Sequence, residues 1–291
     1  MKMKKAPTVS IGMIVNNDEK RLSNAIETIL NQSFEDFELI ISDNASTDNT
    51  ENICRYYQNK DSRINYIRQS RDLGSEHNII FVFKQAIGEF FMWAPSHYSR
   101  SLNFIEECVE VLKSDLNCNF VSTPNCWIDD ENKKEKYINF SLEGSVYKRI
   151  SKFLDLMMNS HACFYGLFRR SNMEGVESLA PNYIAADILF MMKNLLKSEF
   201  KRTKSGLLIV GRGQSSRPEY IATWQTKFIH YILPLYDFTK NALILIMKSR
   251  DILLYAKIIL FLKLMFKNII VHIIIIKYWV KRLKIKIVKF K

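Results

Sequence analysis

The 291-residue chain has five cysteines, Cys54, Cys108, Cys118, Cys126 and Cys163, an odd number, widely spaced and without a C-x-x-C pair. That excludes a disulfide framework and gives no zinc-ligand spacing, so the thiols read as reduced and the compartment as cytoplasmic. The opening MKMKKAPTV has lysines but no apolar core before its proline, so no export is expected from it. No glycine fingerprint follows the first strand-like run, which argues against a dinucleotide-binding turn. No apolar run reaches the roughly 18 uninterrupted residues of a spanning helix. There is no internal repeat or low-complexity linker.

The formal net charge is +12, and all of it sits at one end. Residues 240–291 carry 11 Lys and 2 Arg against one Asp, while the first 239 residues hold 29 basic and 29 acidic side chains. A neutral body without one-signed charge runs excludes a phosphate-tracking nucleic-acid groove.

The body alternates short β-branched runs with helical spacing. TVSIGMIV (Thr8 to Val15) reads as a buried strand, Glu19 to Asn31 as an amphipathic helix, and Phe37 to Ser42 as a second strand stopped by Asp43-Asn44-Ala45-Ser46-Thr47-Asp48. A helix over Thr50 to Lys60, a strand over Ile64 to Arg68, a helix over Asn78 to Ala86 and a strand over Phe90 to Ala94 complete a doubly wound α/β pattern. Further on, the spacing predicts helices over Asn103 to Leu112 and Ile184 to Leu196, strands over Asn119 to Thr123 and Leu207 to Val210, and a solvated charged stretch over Asp129 to Lys136. Ligands in such sheets bind beyond the carboxyl ends of the strands, so Asn16, Asn17, Asp43 and the segment after Ala94 should line one crevice.

VSIGMIVNNDEKRLSNAIETILNQSFEDFELIISDNASTDNTENI resembles the N-terminal half of family 2 glycosyltransferases. The likeness continues through Asp72-Leu73-Gly74, Gly88-Glu89-Phe90 and Phe164 to Arg170, over about residues 7 to 217. It implies a GT-A, Rossmann-like, mostly parallel sheet flanked by helices, and a hexosyltransferase using a nucleotide-sugar donor. By that resemblance Asp43 accepts the uracil N3 hydrogen, favouring UDP or dTDP, or else is a plain turn-former. Val15, Asn17, Glu19, Asn44, Gly74 and Ser96 are the other implied nucleotide-binding positions, with a first-turn helix acid as the alternative for Glu19. Ser46 and Thr47 are expected as helix caps.

The departures are specific. Ile14-Val15-Asn16-Asn17-Asp18-Glu19 lacks the family's proline and base-flanking tyrosine, and Trp93-Ala94-Pro95-Ser96-His97-Tyr98 stands where an Asp-x-Asp pair holds Mg²⁺ or Mn²⁺ in relatives. Neutral oxygens and an imidazole suit a hard cation poorly. Two readings stay open: cationic side chains, with His97, Arg100, Arg212 and Arg217 as candidates, stabilise the leaving diphosphate in the metal's place, or the site has lost turnover and serves as a binding or membrane-attached assembly subunit. For the base, Ala185-Ala186-Asp187-Ile188-Leu189 fits the inverting pattern, making Asp187 the candidate catalytic residue, or else an acid favoured at a helix start. Gly211 to Ser216 resembles the family's loop that closes over the nucleotide.

Residues 1–217 are therefore expected to form the transferase domain and 218–291 a helical membrane-associating region. On a helical wheel Lys263, Lys267, Lys277, Lys281 and Lys284 fall in about a 100° arc, leaving isoleucines, leucines and Trp279 elsewhere. That pattern predicts an interfacial helix on an anionic surface, at the cytoplasmic face of the plasma membrane, serving a lipid-linked or surface-glycan acceptor. A core-packing helix and a partner-binding tail are the alternatives.

Overall fold

The computed structural model describes residues 6–128, 134–180, 185–210, 229 and 232–289. Its first half is a run of strand-helix units: β1 (Val9–Val15), α1 (Glu19–Leu30), β2 (Phe37–Asp43), α2 (Thr50–Lys60), β3 (Ile64–Arg68), α3 (Ser75–Gln85) and β4 (Phe90–Pro95). β5 (Tyr98–Arg100), α4 (Phe104–Ser114), β6 (Cys118–Ser122), β7 (Asn125–Ile128), β8 (Lys134–Ile138), α5 (Val146–Leu156) and β9 (Leu167–Arg169) follow. The chain then forms α6 (Ala186–Lys197), β10 (Glu199–Arg202), β11 (Leu208–Val210), α7 (Tyr236–Lys248) and α8 (Leu254–Lys289).

A seven-stranded sheet runs in the order β10-β6-β9-β4-β1-β2-β3, and a four-stranded sheet in the order β5-β11-β7-β8. β1 lies parallel to both β2 and β4, with Val15 beside Asp43 and Ile14 beside Pro95, so three carboxyl ends finish together. β9 alone runs antiparallel to its neighbours in the large sheet, β4 and β6. The architecture is the mostly parallel, helix-flanked sheet expected from the sequence.

Period-2 alternation along β1 sends Val9, Ile11, Met13 and Val15 into one apolar layer with α1, α2 and α4. On the other face Phe91, Trp93, Phe120 and Phe168 pack with residues of α5, α6, α7 and α8. Gly12 permits the close approach of α3 on that face: a Cβ there would stand 2.7 Å from Val82 Cγ2 and 2.9 Å from Phe91 Cζ.

The C-terminal helices share this second layer. Ala256, Leu260, Leu264, Val271 and Ile275 form its buried stripe on α8. Within the stripe Asn268 is buried and satisfied, its Oδ1 accepting from the Leu235 N–H (3.0 Å) and its Nδ2 donating to Thr239 Oγ1 (2.6 Å). Lys263 reaches Ser151 Oγ (2.7 Å) and Asp155 Oδ2 (2.6 Å) on α5, and Lys267 reaches the Asp155 carbonyl (3.0 Å). Two lysines of the expected lipid-facing stripe are thus anchored to the body, because docking α8 by its small and branched residues turns that edge toward α5. Asp129 to Lys136, expected as a solvated stretch, ends in β8 from Lys134, a strand whose apolar content is too low to show a period.

Candidate active site

The crevice forms where β1, β2 and β4 end, and its loops are tied by side chains. The Asn17 N–H donates to Ser46 Oγ (2.9 Å), and Asn17 Oδ1 accepts from the Thr47 N–H (2.7 Å). Ser46 and Thr47 therefore fasten the β1–α1 loop rather than capping α2, as had been expected. The reason is geometric: parallel pairing brings the two loops side by side. Glu19 likewise reaches across, its Oε2 accepting from the Asn49 N–H at 3.0 Å, so it sits at the start of α2 as well as in the first turn of α1. Asn44 Oδ1 accepts from the Leu73 N–H (2.8 Å) and its Nδ2 donates to Asp72, folding the turn that carries Gly74 (φ 77°) over the end of β2. Asn17, Ala45 and Ala185, the non-glycine residues with positive φ among the described residues, all flank this crevice; held strain of this kind concentrates at functional sites.

Asp43 has no exposed surface. Its Oδ1 accepts from the Ser46 N–H (2.9 Å), and its Oδ2 from Tyr66 Oη and Arg68 Nη1, each at 2.8 Å. Arg68 is partly exposed and is also held by the Ser46 carbonyl (2.9 Å) and Glu51 (3.2 Å).

At the end of β4, Ser96 Oγ donates to Asp18 Oδ2 (2.5 Å), and Arg21 Nε donates to Asp18 Oδ1 (2.7 Å) with its side chain 51% exposed. Neither Asp18 nor Arg21 is distinguished in the sequence from ordinary helix-start residues. Burial, and then the Arg21 charge, push the His97 imidazole down to about 4, so at neutral pH it carries no charge. Arg100 is buried, its guanidinium over the Phe104 ring (5.3 Å) and donating to the Trp93 carbonyl (3.3 Å). These are corrections to two leaving-group candidates: His97 supplies no positive charge, and Arg100 packs in the core because the short β5 turns it under the sheet. Arg212 and Arg217 lie outside the described residues, as does the loop from Gly211 to Ser216.

The positions that hold a metal in relatives do not fit one here. Ser96 already donates to Asp18, the Tyr98 hydroxyl is buried, and among the described residues no group of three or more His, Cys, Asp or Glu is placed to hold an ion. Hard divalent cations want several oxygen ligands, preferably anionic.

Across the crevice, Asp187 lies in the first turn of α6, a helix entered through Ala185 at φ 68°. Asp187 Oδ2 is 2.8 Å from His161 Nδ1, with the aspartate side chain 26% and the histidine side chain 33% exposed. Burial raises the Asp187 carboxyl, but the His161 hydrogen bond and charge and the N–H groups of the helix start outweigh it, leaving the group below the ordinary carboxylate range. His161 lies against the Tyr165 ring (5.3 Å between centroids), which in turn meets Tyr98 (4.9 Å). Nothing in the sequence marks His161: it stands 26 residues before Asp187, in a single-turn segment too short for any period.

Comparison with known proteins agrees with this geometry. The family model described as Glycosyl transferase family 2 matches residues 10–175. The GalNAc(5)-diNAcBac-PP-undecaprenol beta-1,3-glucosyltransferase of Campylobacter jejuni is 29% identical over 178 residues, 58% of this chain and 53% of that protein. Chondroitin synthase of Escherichia coli is 25% identical over 194 residues, 66% of this chain and 27% of that protein. The chain spans about half or less of the length of these curated relatives. Among solved structures, S. aureus TarS 1-349 in complex with UDP-GlcNAc has a TM-score of 0.68 at 15% identity, over 89% of this chain and 71% of that one. At that identity the likeness is one of fold.

Proposed function

Taking as premise that the chain belongs to glycosyl transferase family 2, we propose that it moves a sugar from a UDP donor to a lipid-linked or surface-glycan acceptor, inverting the anomeric carbon and needing no divalent metal. The observation that carries this reading is the crevice itself, with Asp43 and Arg68 at one end, Asp18, Ser96 and Arg21 in the middle, and Asp187 at the other. A uracil edge presents one N–H between two carbonyl oxygens, which complements a carboxylate beside a guanidinium on either side; a guanine edge presents two adjacent donors with a single carbonyl oxygen on one side, so it offers Arg68 an acceptor in one orientation only. Val15, Asn17, Glu19, Asn44 and Gly74 frame the nucleotide. The half-exposed Arg21 guanidinium, fixed by Asp18, is the cation for the diphosphate, with Arg212 and Arg217 as further candidates.

The donor and acceptor classes are supported by relatives: one TarS structure contains UDP-GlcNAc, and the name of the Campylobacter protein specifies an undecaprenol diphosphate-linked acceptor. We place the enzyme at the cytoplasmic face of the plasma membrane, residues 1–217 being catalytic and 218–291 membrane-associating. Leu254–Lys277 is long and apolar enough to cross a bilayer, with mean hydropathy 2.2, but Lys263, Lys267 and Asn268 are bonded to the body, which favours a helix lying on the surface.

A second reading, a nucleotide- or glycan-binding subunit without turnover, is favoured by the missing metal carboxylates. Calorimetric titration with UDP and GDP, each with Mn²⁺ and again in EDTA, separates the two. UDP binding that survives EDTA and exceeds GDP binding is expected. Absence of UDP binding under both conditions would refute the transferase reading.

A further inference from the structure

The His161–Asp187 pair assigns roles that neither residue's place in the chain suggests. Asp187 is turned inward: its carboxylate accepts N–H groups at the start of α6 and faces His161 Nδ1 at 2.8 Å. An ionised carboxylate only accepts hydrogen bonds, so Nδ1 carries the proton, and in the neutral ring the Nε2 lone pair is left as a base. The groups facing His161 are Asp187 from α6, the Tyr165 ring from its own turn and, more distantly, His97 from the turn after β4. His97 carries no charge at pH 7.

We propose, building on the transferase reading above, that His161 Nε2 takes the proton from the acceptor hydroxyl, while Asp187 is the positioning residue that fixes the imidazole's tautomer and stabilises the imidazolium. In the step the acceptor oxygen forms a bond to the anomeric carbon and the bond from that carbon to the diphosphate oxygen breaks. The bonding pair leaves with UDP, and the acceptor's proton ends on Nε2. The one-third exposed imidazole then returns the proton to solvent. Two features favour this over direct proton removal by Asp187. Its carboxylate is already occupied by donors, and those same hydrogen bonds lower its affinity for a proton.

Two measurements on the full chain test the assignment. Proton–nitrogen correlation spectra of the histidine rings at pH 7.5 should show His161 protonated at Nδ1 and bare at Nε2, and Asp187→Asn should disturb that pattern. An Nε2–H tautomer in the wild type would overturn the proposal whether or not a sugar donor has been found. UDP release from UDP-N-acetylglucosamine in water should fall about 100-fold or more in His161→Ala, with UDP affinity kept and part of the rate restored by free imidazole. His161→Ala within about threefold of the wild type, beside an inactive Asp187→Asn, would make Asp187 the base itself. Loss of UDP binding in the wild type would instead sink the reading of the pocket on which the proposal rests.

Discussion

Arg68 stands over Asp43, its Nη1 2.8 Å from Oδ2, and with Tyr66 and the Ser46 N–H it leaves the carboxylate no exposed surface. A base that is to reach Asp43 must displace Arg68 or share its contact. Asp43→Asn replaces a charge-assisted acceptor by an amide that cannot satisfy all three donors. It should cost roughly 1–3 kcal/mol of stability, read by urea denaturation, and lower UDP affinity at least about tenfold by calorimetry. Arg68→Met uncovers the carboxylate while removing the donor for a uracil carbonyl. It should weaken UDP more than GDP, whereas equal effects on both nucleotides would make Arg68 purely structural.

Arg21 is half-exposed, and its direction is fixed by Asp18, which also accepts from Ser96 at the end of β4. If it neutralises the diphosphate, Arg21→Gln should weaken UDP binding about tenfold or more, in keeping with the roughly 1.5–3 kcal/mol of a hydrogen bond to a charged group, yet barely change uridine binding. Adding EDTA should shift wild-type UDP affinity by less than about twofold. A large loss in EDTA would mean that oxygens of the Ser96 turn and Asp18 rearrange to hold an ion.

His97 gives the fold a pH dependence. Its folded value is pushed down to about 4 from an unfolded value near 6.5. Between those values the unfolded chain binds the extra proton and the folded one does not, so this contribution to stability is full above about pH 6.5 and is lost as pH falls toward 4. The full loss is on the order of 3 kcal/mol. Urea midpoints at pH 7.5 and pH 5 should differ less for His97→Gln than for the wild type, and equal differences would show that His97 titrates freely in the folded protein.

The strand-helix units from Val9 to Pro95 were legible because β1, β2 and β4 are buried on both faces and read as largely apolar runs, while α1 and α2 carry a clean helical period. Asp43 was legible from its motif. The short strands β5, β7, β9 and β10 were not, since three or four residues carry no period and their pairing is decided by partners distant in sequence. The same limit hid the site's second half. Arg21 looks like any exposed helix cation, and His161 meets Asp187 only because the turn before β9 is laid against the start of α6.

The outward side of α8 makes the last prediction. Ile258, Leu262, Ile269, Ile273, Ile276 and Val280 are exposed and lie within about 60° of one another on a 100°-per-residue helix, a strip roughly 33 Å long at 1.5 Å per residue. Residues 277–291 add six lysines and one arginine. An apolar strip next to a basic segment complements an anionic bilayer surface, with side chains entering the headgroup boundary and lysines meeting phosphates. The chain should therefore co-sediment with phosphatidylglycerol vesicles and much less with phosphatidylcholine, and 0.5 M salt should weaken the former. Replacing Ile258, Leu262, Ile269 and Ile273 together by serine removes apolar area without touching the Asn268 and Lys263 anchors on the buried side. It should reduce vesicle binding at least about tenfold with the folded body intact, because each apolar side chain taken from the lipid boundary forfeits on the order of 1 kcal/mol. Unchanged sedimentation of the quadruple variant would remove lipid as the occupant of this face, and a wild-type dimer that the same substitutions dissociate would put a second copy of the chain there.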